Sequence, residues 1–324
     1  MTRYVVTGAA GFIGGHVAAA LAAEGADVRA FDRRPPPALP PGIDFVAGDL
    51  LDAAALARAL EGCDAVFHLA ALYSYDRDDA DAMRAVNVEG TRLLLDAVAR
   101  GADRRRVVHT SSSGTCGPVR GRAATEGDGP PEWELSVPYK RTKVDGERLA
   151  MSAAKEGLDV VVVNPTTPVG PGDRRPTPTG KMVADVARGR ARAHLAGGAL
   201  NVVAVEDVAT GHLLAHGLGR PGERYLLGGE NLSMREVFAI VASAAGRPPP
   251  RMAVPWALAN AAARVAEVAL GAVGRKPSLL VLDEVRLARQ PMTFDDSKAR
   301  RELGYRSRPA AEALAAAARA ALAS

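Results

Sequence analysis

The 324-residue sequence has few cysteines and few aromatic residues. Its two cysteines, Cys63 and Cys116, do not form a C-x-x-C pair, so we expect neither a disulfide framework nor a bound metal. Aromatic residues make up 4% of the chain, too few for a base-stacking nucleic-acid platform. Basic and acidic residues nearly balance, 41 to 37, and the resulting net charge of +4 is too weak to indicate a nucleic-acid partner.

The sequence also lacks a signal-peptide pattern and a long apolar run. Arg3 leads directly into the strand-like Tyr4-Val5-Val6, with no charged segment before an apolar stretch. The segment Met252 to Ala263, between Arg251 and Arg264, falls short of the roughly 20 residues that a spanning helix needs. We therefore expect a cytoplasmic protein without a spanning segment. Met252 to Ala263 is predicted to be a half-buried helix, with contact to a membrane surface or a lipidic substrate as the alternative.

The first half of the sequence alternates short β-branched runs with alanine-rich stretches. These predict strands at 4–7, 28–31, 44–46, 65–68, 106–109 and 160–163, and helices at 12–24, 53–60, 80–100 and 139–156. Strands that alternate with helices in this way indicate an α/β fold with a parallel sheet. Because the strands are almost continuously apolar, helices should cover both faces of that sheet.

The composition of the sequence changes after Pro165. Residues 165–179 are dense in proline, glycine and threonine, and a second proline-rich break follows at 247–251. We predict a first domain over residues 1–165 and a smaller C-terminal substrate lobe over 166–324. Part of that lobe, residues 166–215, is expected to return to the first domain.

A glycine-rich loop links the first predicted strand to the first helix. It reads T-G-x-x-G-x-x-G from Thr7 to Gly14. Gly8 permits a tight turn, Gly11 lets a pyrophosphate approach backbone N–H groups at the helix N-terminus, and Gly14 lets helix and sheet pack closely. The loop and the first helical residues, Phe12 and Ile13, therefore predict a dinucleotide site.

Acidic residues after the second and third strands bear on the choice of dinucleotide. Asp32 ends the second strand, where a carboxylate can bind the adenosine ribose hydroxyls and repel a 2′-phosphate. This favours NAD, although Arg33 and Arg34 leave NADP open because they could bind that phosphate. Asp49, followed by Leu50, could accept a hydrogen bond from the adenine amino group; the alternative role is a helix N-cap.

Two further segments predict acid–base chemistry. Tyr139 and Lys143 are four residues apart on one predicted helix, so their side chains share a face. A nearby ammonium group should lower the phenol pKa and let Tyr139 exchange a proton with an alcohol or carbonyl oxygen. Upstream, Ser111, Ser112 and Ser113 leave a strand in a loop, and such hydroxyls can donate to a carbonyl oxygen as negative charge develops on it.

With these motifs the chain resembles the extended short-chain dehydrogenase/reductases. The matching segments are 7–14, 48–50, 68–71, 87–91, 111–117, Tyr139 with Lys143, and 164–165. The resemblance implies a Rossmann-type doubly wound sheet. It also implies Tyr139 as general acid/base, Lys143 as the residue that holds the nicotinamide ribose, and Ser112 as the residue that orients the substrate oxygen. Further implied cofactor contacts are Leu69, Ala70, Ala71, Asn87, Pro165 and Thr166, with Asn87 also pinning strand to helix and His68 in a structural role.

Two branches of that family are similar to the second half of the chain: dihydroflavonol-reductase-like ketone reductases and hopanoid-associated sugar epimerases. Many sugar-nucleotide epimerases carry an arginine where this chain has Asn164, and residues 197–208 contain no arginine for a diphosphate. A nucleotide-sugar substrate is therefore less favoured. The predicted substrate contacts lie on loops and near the catalytic segments: Tyr73, Tyr75, Ser113, Trp133 and Thr167.

The favoured function is hydride transfer between a nicotinamide and a secondary alcohol or ketone of a sugar-like or polycyclic small molecule. The alternative is an epimerase or dehydratase that oxidises its substrate transiently and regenerates its cofactor. A cofactor-sensing binding protein is a third hypothesis, less favoured because Tyr139 and Lys143 are both present. A homodimer is expected.

Overall fold

The computed structural model describes residues 2–36, 41–101, 105–271 and 281–323. Its main feature is a seven-stranded sheet in which every neighbouring pair is parallel. Across the sheet the strands are β3 (Ile43–Ala47), β2 (Asp27–Asp32), β1 (Arg3–Thr7), β4 (Ala65–His68), β5 (Arg106–Thr110), β6 (Val160–Pro165) and β10 (Arg224–Leu227). The strand order reverses between β1 and β4, which confirms the predicted doubly wound α/β fold of the Rossmann type.

Helices bury both faces of the sheet, as the apolar strands predicted. On one face lie α1 (Phe12–Ala23), α7 (Val205–Leu218) and α11 (Ser297–Leu303); on the other lie α2 (Ala53–Leu60), α4 (Thr91–Arg100) and α5 (Pro138–Lys155). Alternate residues of β1 supply the two cores: Val6 packs in the first and Val5 in the second, both fully buried.

The predicted helix at 80–100 is present with one irregularity. It consists of α3 (Ala80–Arg84), a π-helical turn over Ala85–Gly90, and α4. A π turn inserts an extra residue into the helix and often marks a functional position. Here the wide turn contains Asn87.

Residues after Pro165 build a second, smaller layer and also return to the large sheet. The lobe contains β7 (Thr167–Val169), β9 (Ala199–Ala204) and β11 (Glu230–Ser233) in one sheet and β8 (Ala193–Leu195) with β12 (Met252–Val254) in another. Its helices are α6 (Pro178–Ala187), α8 (Met234–Ala244), α9 (Trp256–Gly271), α10 (Leu282–Leu287) and α12 (Ala310–Ala323). Within the chain after Pro165, α7 packs on the large sheet and β10 joins it as an edge strand. The predicted boundary, residue 165, is the last residue of β6.

The prediction of one helix over Met252 to Ala263 is wrong at its start. Residues 252–254 form β12, which pairs with β8 in parallel, and Pro255 separates it from α9. The apolar residues were assigned to a helix because pairing with a strand 59 residues upstream leaves no local signal. Within the described residues, no helix combines the length and apolar character that a membrane crossing requires.

Candidate active site

The glycine-rich loop brings backbone close to backbone at the carboxyl end of β1. Gly8 has φ +71°, and a Cβ there would lie 2.7 Å from the Ala70 nitrogen. A Cβ on Gly14 would collide with the Gly8 carbonyl. Gly11 caps α1 without a side chain, which leaves the first N–H groups of that helix to other acceptors. The loop is therefore shaped for close approach by an anionic group.

Asp32 lies beside this loop, at the end of β2. Its Oδ2 accepts a hydrogen bond from the Ala10 nitrogen at 3.1 Å, which holds the carboxylate against the glycine-rich turn. Arg33 and Arg34 follow it on the surface and are exposed.

Replacing Asp32 with alanine is expected to lower the preference for NAD over NADP by about tenfold, because repulsion of the 2′-phosphate is lost while the exposed arginines remain. The ratio of kcat/KM values for the two cofactors measures it. Asp44→Ala removes an equal charge from exposed β3 and should leave the ratio unchanged. An unaltered ratio in Asp32→Ala would remove Asp32 from the ribose site.

The alternative role for Asp49 as a helix N-cap is wrong. Asp52 caps α2, since its Oδ1 accepts from the nitrogens of Ala54 at 2.9 Å and Ala55 at 3.1 Å. Asp49 instead accepts from the Leu51 nitrogen in the preceding turn. The Leu50 side chain is 5% exposed and packs where a Cβ on Gly90 would sit, so a contact from Leu50 to a cofactor would involve its backbone.

His68 has the structural role expected for it. Thr7 Oγ1 accepts from the nitrogens of Leu69 and Ala70, so its own proton faces His68 Nδ1 at 2.8 Å. His68 Nε2 lies 3.0 Å from Thr91 Oγ1. Burial lowers the pKa of His68 to about 3, so the ring is neutral and ties β1 and β4 to α4.

Asn87 fixes the loop after β4 to α5. Its Oδ1 accepts from the Leu72 nitrogen at 2.7 Å, and its Nδ2 donates to the Leu72 carbonyl and to Thr142 Oγ1. α5 reaches the π turn because residue 146 is glycine: a Cβ there would lie 2.7 Å from the Asn87 carbonyl. Asn87 therefore fixes the part of α5 around Thr142 relative to the loop after β4.

Ser112, Tyr139 and Lys143 come together where β5 ends and α5 begins. Ser112 lies close enough to the Tyr139 hydroxyl to lower its pKa. Lys143 lies one helical turn further along α5, and its Nζ donates to the Thr110 carbonyl at 2.9 Å. Ser112 is half-buried, whereas its neighbours Ser111 and Ser113 are buried. Of the three serines, Ser112 is the one whose side chain acts on the pKa of the tyrosine.

The expected lowering of the Tyr139 pKa is absent. Burial raises the pKa of Tyr139 to about 12, and Ser112 opposes this only in part. Lys143 is directed to the Thr110 carbonyl, and burial lowers its own pKa to about 8. At neutral pH the structure therefore holds a protonated phenol and a charged ammonium.

Three tyrosines form one aromatic wall. The Tyr139 ring lies 4.3 Å from that of Tyr73 and 6.0 Å from that of Tyr75, both edge-to-face. Glu284 and Glu134 are close enough to raise the pKa of Tyr75 further, beyond the larger effect of burial. The wall is thus built of rings, and two carboxylates lie near it.

The remaining predicted substrate and nicotinamide contacts lie in the turn before α5 and where β6 leads into β7. Trp133 is half-buried in the turn Glu132–Ser136, and no ring contact among the described residues joins it to the tyrosines. Thr166 follows β6, and its nitrogen donates to the Leu227 carbonyl at 3.2 Å, while Pro165 ends β6 and Thr167 begins β7.

The sequence analysis missed a buried polar network behind residues 111–117, the segment we call the serine loop. Glu147 accepts from Thr115 Oγ1 at 2.6 Å and Asn164 Nδ2 at 2.7 Å, and it forms an ion pair with Arg224 at 2.6 Å. Asn164 also donates to the Ser112 carbonyl at 3.1 Å. Since Arg224 is 77 residues from Glu147, no local spacing could reveal the pair.

Comparison with known proteins agrees with this geometry. Residues 4–228 match the NAD dependent epimerase/dehydratase family. A dihydroflavonol 4-reductase-like protein from Synechocystis sp. is 40% identical over 321 residues, which cover 96% of this chain and 92% of the relative. A ketoreductase of Stigmatella aurantiaca, named for 4-hydroxy-2-methyl-3-oxo-4-farnesyl-3,4-dihydroquinoline-1-oxide, is 33% identical over 315 residues, 94% of this chain and 92% of the relative.

The fold is shared with solved structures of the same kind. A dTDP-glucose 4,6-dehydratase from Streptomyces venezuelae, solved with NAD bound, superposes with a TM-score of 0.78 at 27% identity, covering 98% of this chain and 96% of the other. The fold and these relatives define an enzyme of the extended short-chain dehydrogenase/reductase type, as the sequence motifs predicted. The chain belongs to the NAD-dependent epimerase/dehydratase family.

Proposed function

We propose that this enzyme reduces an apolar ketone to a secondary alcohol with NADH, and catalyses the reverse oxidation, through Ser112, Tyr139 and Lys143. The observation that carries the proposal is the placement of Ser112 beside a protonated Tyr139, with the Lys143 ammonium one turn away. A phenol that keeps its proton at neutral pH is the form that a carbonyl reduction requires.

The residues at the carboxyl ends of the strands fit a dinucleotide. The Gly8 turn has no room for a Cβ, and the Asp32 carboxylate is held beside it by Ala10. Gly8 and Gly11 would hold the diphosphate, Asp32 the adenosine ribose, and Lys143 the nicotinamide ribose. The other candidate contacts are Phe12, Ile13, Gly14, Arg33, Asp49, Leu50, Leu69, Ala70, Ala71, Asn87, Tyr139, Pro165 and Thr166. When bound, the cofactor supplies the hydride.

The chain's own residues handle the proton and the developing charge. Ser112 Oγ and Tyr139 Oη would both donate to the substrate carbonyl oxygen, which becomes negative as the carbonyl carbon is reduced. Tyr139 then transfers its proton to that oxygen and is left as a phenolate. The Lys143 ammonium would stabilise this phenolate, which solvent then reprotonates.

Two observations favour an apolar substrate over a nucleotide sugar. The wall beside Tyr139 consists of the rings of Tyr73 and Tyr75. Glu284 also lies near enough to Tyr75 to raise its pKa, and its carboxylate would repel a diphosphate. The farnesylated ketone in the name of the Stigmatella relative supports the same substrate class.

An epimerase or dehydratase with transient oxidation is the second candidate, favoured by the dTDP-glucose dehydratase likeness. Stoichiometry separates the two. Under the proposed function, a panel of apolar cyclic and open-chain ketones includes one that consumes NADH in equal amount to the alcohol formed. Conversion or inversion of a dTDP-sugar without a change in NADH absorbance would establish the alternative.

Reduction is expected to slow above about pH 8. The pKa of Lys143 is lowered, so its ammonium is present below about pH 8 and is lost as pH rises through that value, whereas Tyr139 keeps its proton throughout. The kcat/KM profile for ketone reduction should therefore have a descending limb near pH 8. Lys143→Arg, whose guanidinium stays charged, should shift this limb upward; an unchanged limb would assign it to another group.

A further inference from the structure

Two buried charged residues beside the serine loop take no part in the chemistry described so far. Lys140 follows Tyr139 in α5 and is 5% exposed, and Glu134 lies in the turn Glu132–Ser136 and is fully buried. Lys140 Nζ and Glu134 Oε2 are 2.7 Å apart. Charges at this depth are costly unless they are paired and hydrogen-bonded, so the contacts of the pair define what it holds in place.

The other contacts of Lys140 are with the serine loop. Its Nζ donates to the Gly114 carbonyl at 2.9 Å and to the Gly117 carbonyl at 3.0 Å. Ser112 Oγ accepts from the Gly114 nitrogen at 3.1 Å. Lys140 is therefore bonded to the turn that orients the Ser112 hydroxyl. A Cβ on Gly114 would lie 3.1 Å from Nζ, which shows how closely the loop approaches the ammonium.

Glu134 supplies the opposite charge from a different segment. It precedes α5 and also lies near Tyr75, whose pKa it helps to raise. Among the described residues its ion pair is with Lys140. The carboxylate therefore compensates an ammonium that reaches two loop carbonyls at once, and it links the tyrosine wall to the serine loop.

We propose that Lys140 and Glu134 are positioning residues that hold the serine loop so that the Ser112 hydroxyl stays beside Tyr139 and faces the substrate oxygen. The catalytic consequence rests on the proposed function, whereas the restraint on the loop can be measured without turnover.

Hydrogen exchange in the full-length protein tests the restraint. In the double variant Lys140→Met with Glu134→Gln, which removes both charges, amides of residues 113–117 should exchange at least about tenfold faster while those of β5 are unchanged. Lys155→Met, an exposed lysine of the same helix, serves as control and should match the wild type. Wild-type exchange in the loop of the double variant would overturn the proposal. If the double variant does not fold, Glu134→Gln alone is expected to accelerate loop exchange, and no acceleration would again overturn it.

A double-mutant cycle on kcat tests the catalytic consequence. If the pair acts through Ser112, the double variant should lower kcat about 30-fold in the wild type and less than about threefold in the Ser112→Ala background. Equal factors in both backgrounds would mean that the pair does not act through Ser112. If the wild-type enzyme reduces no ketone, the proposed function fails, and the exchange experiment still decides whether the restraint exists.

Discussion

Tyr139→Phe is expected to lower kcat for ketone reduction by at least about 100-fold, the scale of general acid–base catalysis. The substitution keeps the ring that packs 4.3 Å from Tyr73 and removes only the hydroxyl, which lies beside Ser112. Without that hydroxyl the developing alkoxide loses the phenol that would protonate it. Affinity for NADH should change far less than kcat, because Tyr139 is only one of the candidate cofactor contacts.

Tyr4→Phe is the matched control, because Tyr4 is a half-buried tyrosine of β1 that packs against Phe67 and His216, away from Ser112. Its kcat should equal that of the wild type. Near-normal turnover in Tyr139→Phe would contradict the assignment of Tyr139 as the acid. A loss in both variants would point to a general effect of tyrosine substitution.

Arg224→Met is expected to lower the free energy of unfolding by about 3–5 kcal/mol, the cost of breaking a buried ion pair from one side. Glu147 is 5% exposed and would lose the guanidinium that lies 2.6 Å away. The Glu126 and Asp128 carbonyls would lose their donor as well. Urea denaturation measures the change as a lower midpoint with an unchanged slope.

Arg148→Met is the control for this comparison. Arg148 belongs to the same helix as Glu147, but its side chain is 67% exposed and lies 3.6 Å from Asp145. Exposed pairs of this kind contribute about 0–1 kcal/mol. If Arg224→Met were no more destabilised than Arg148→Met, Glu147 would not be held as a buried carboxylate, and the network behind the serine loop would have another basis.

The sequence analysis succeeded where the signal is local. Helix α2 and strand β4 have the predicted bounds because their apolar spacing and flanking residues suffice to define them. The glycine-rich loop could be read for the same reason, since strand, turn and helix are contiguous. The strand β12 was missed because its pairing with β8 is decided by distant residues.

Within the site, the sequence predicted which residues lie close together, but it predicted neither their pKa values nor their buried ion pairs. The spacing of Tyr139 and Lys143 places them on one helix, whereas the raised pKa of Tyr139 follows from burial by segments far away in the chain. The buried pair of Lys140 and Glu134 was missed for a related reason: charged residues next to a helix start are normally expected on the surface. The homodimer, the domain boundary and the cytoplasmic location stay predictions.

Deuterium transfer from NADH labelled at nicotinamide C4 tests the central claim most directly. With an apolar ketone that the enzyme reduces, the account predicts one deuterium at the carbinol carbon of the alcohol for each NADH oxidised, and a loss of that transfer in Tyr139→Phe. Alcohol formed without deuterium from either face of the labelled nicotinamide, or a product formed with no NADH consumed, would contradict it.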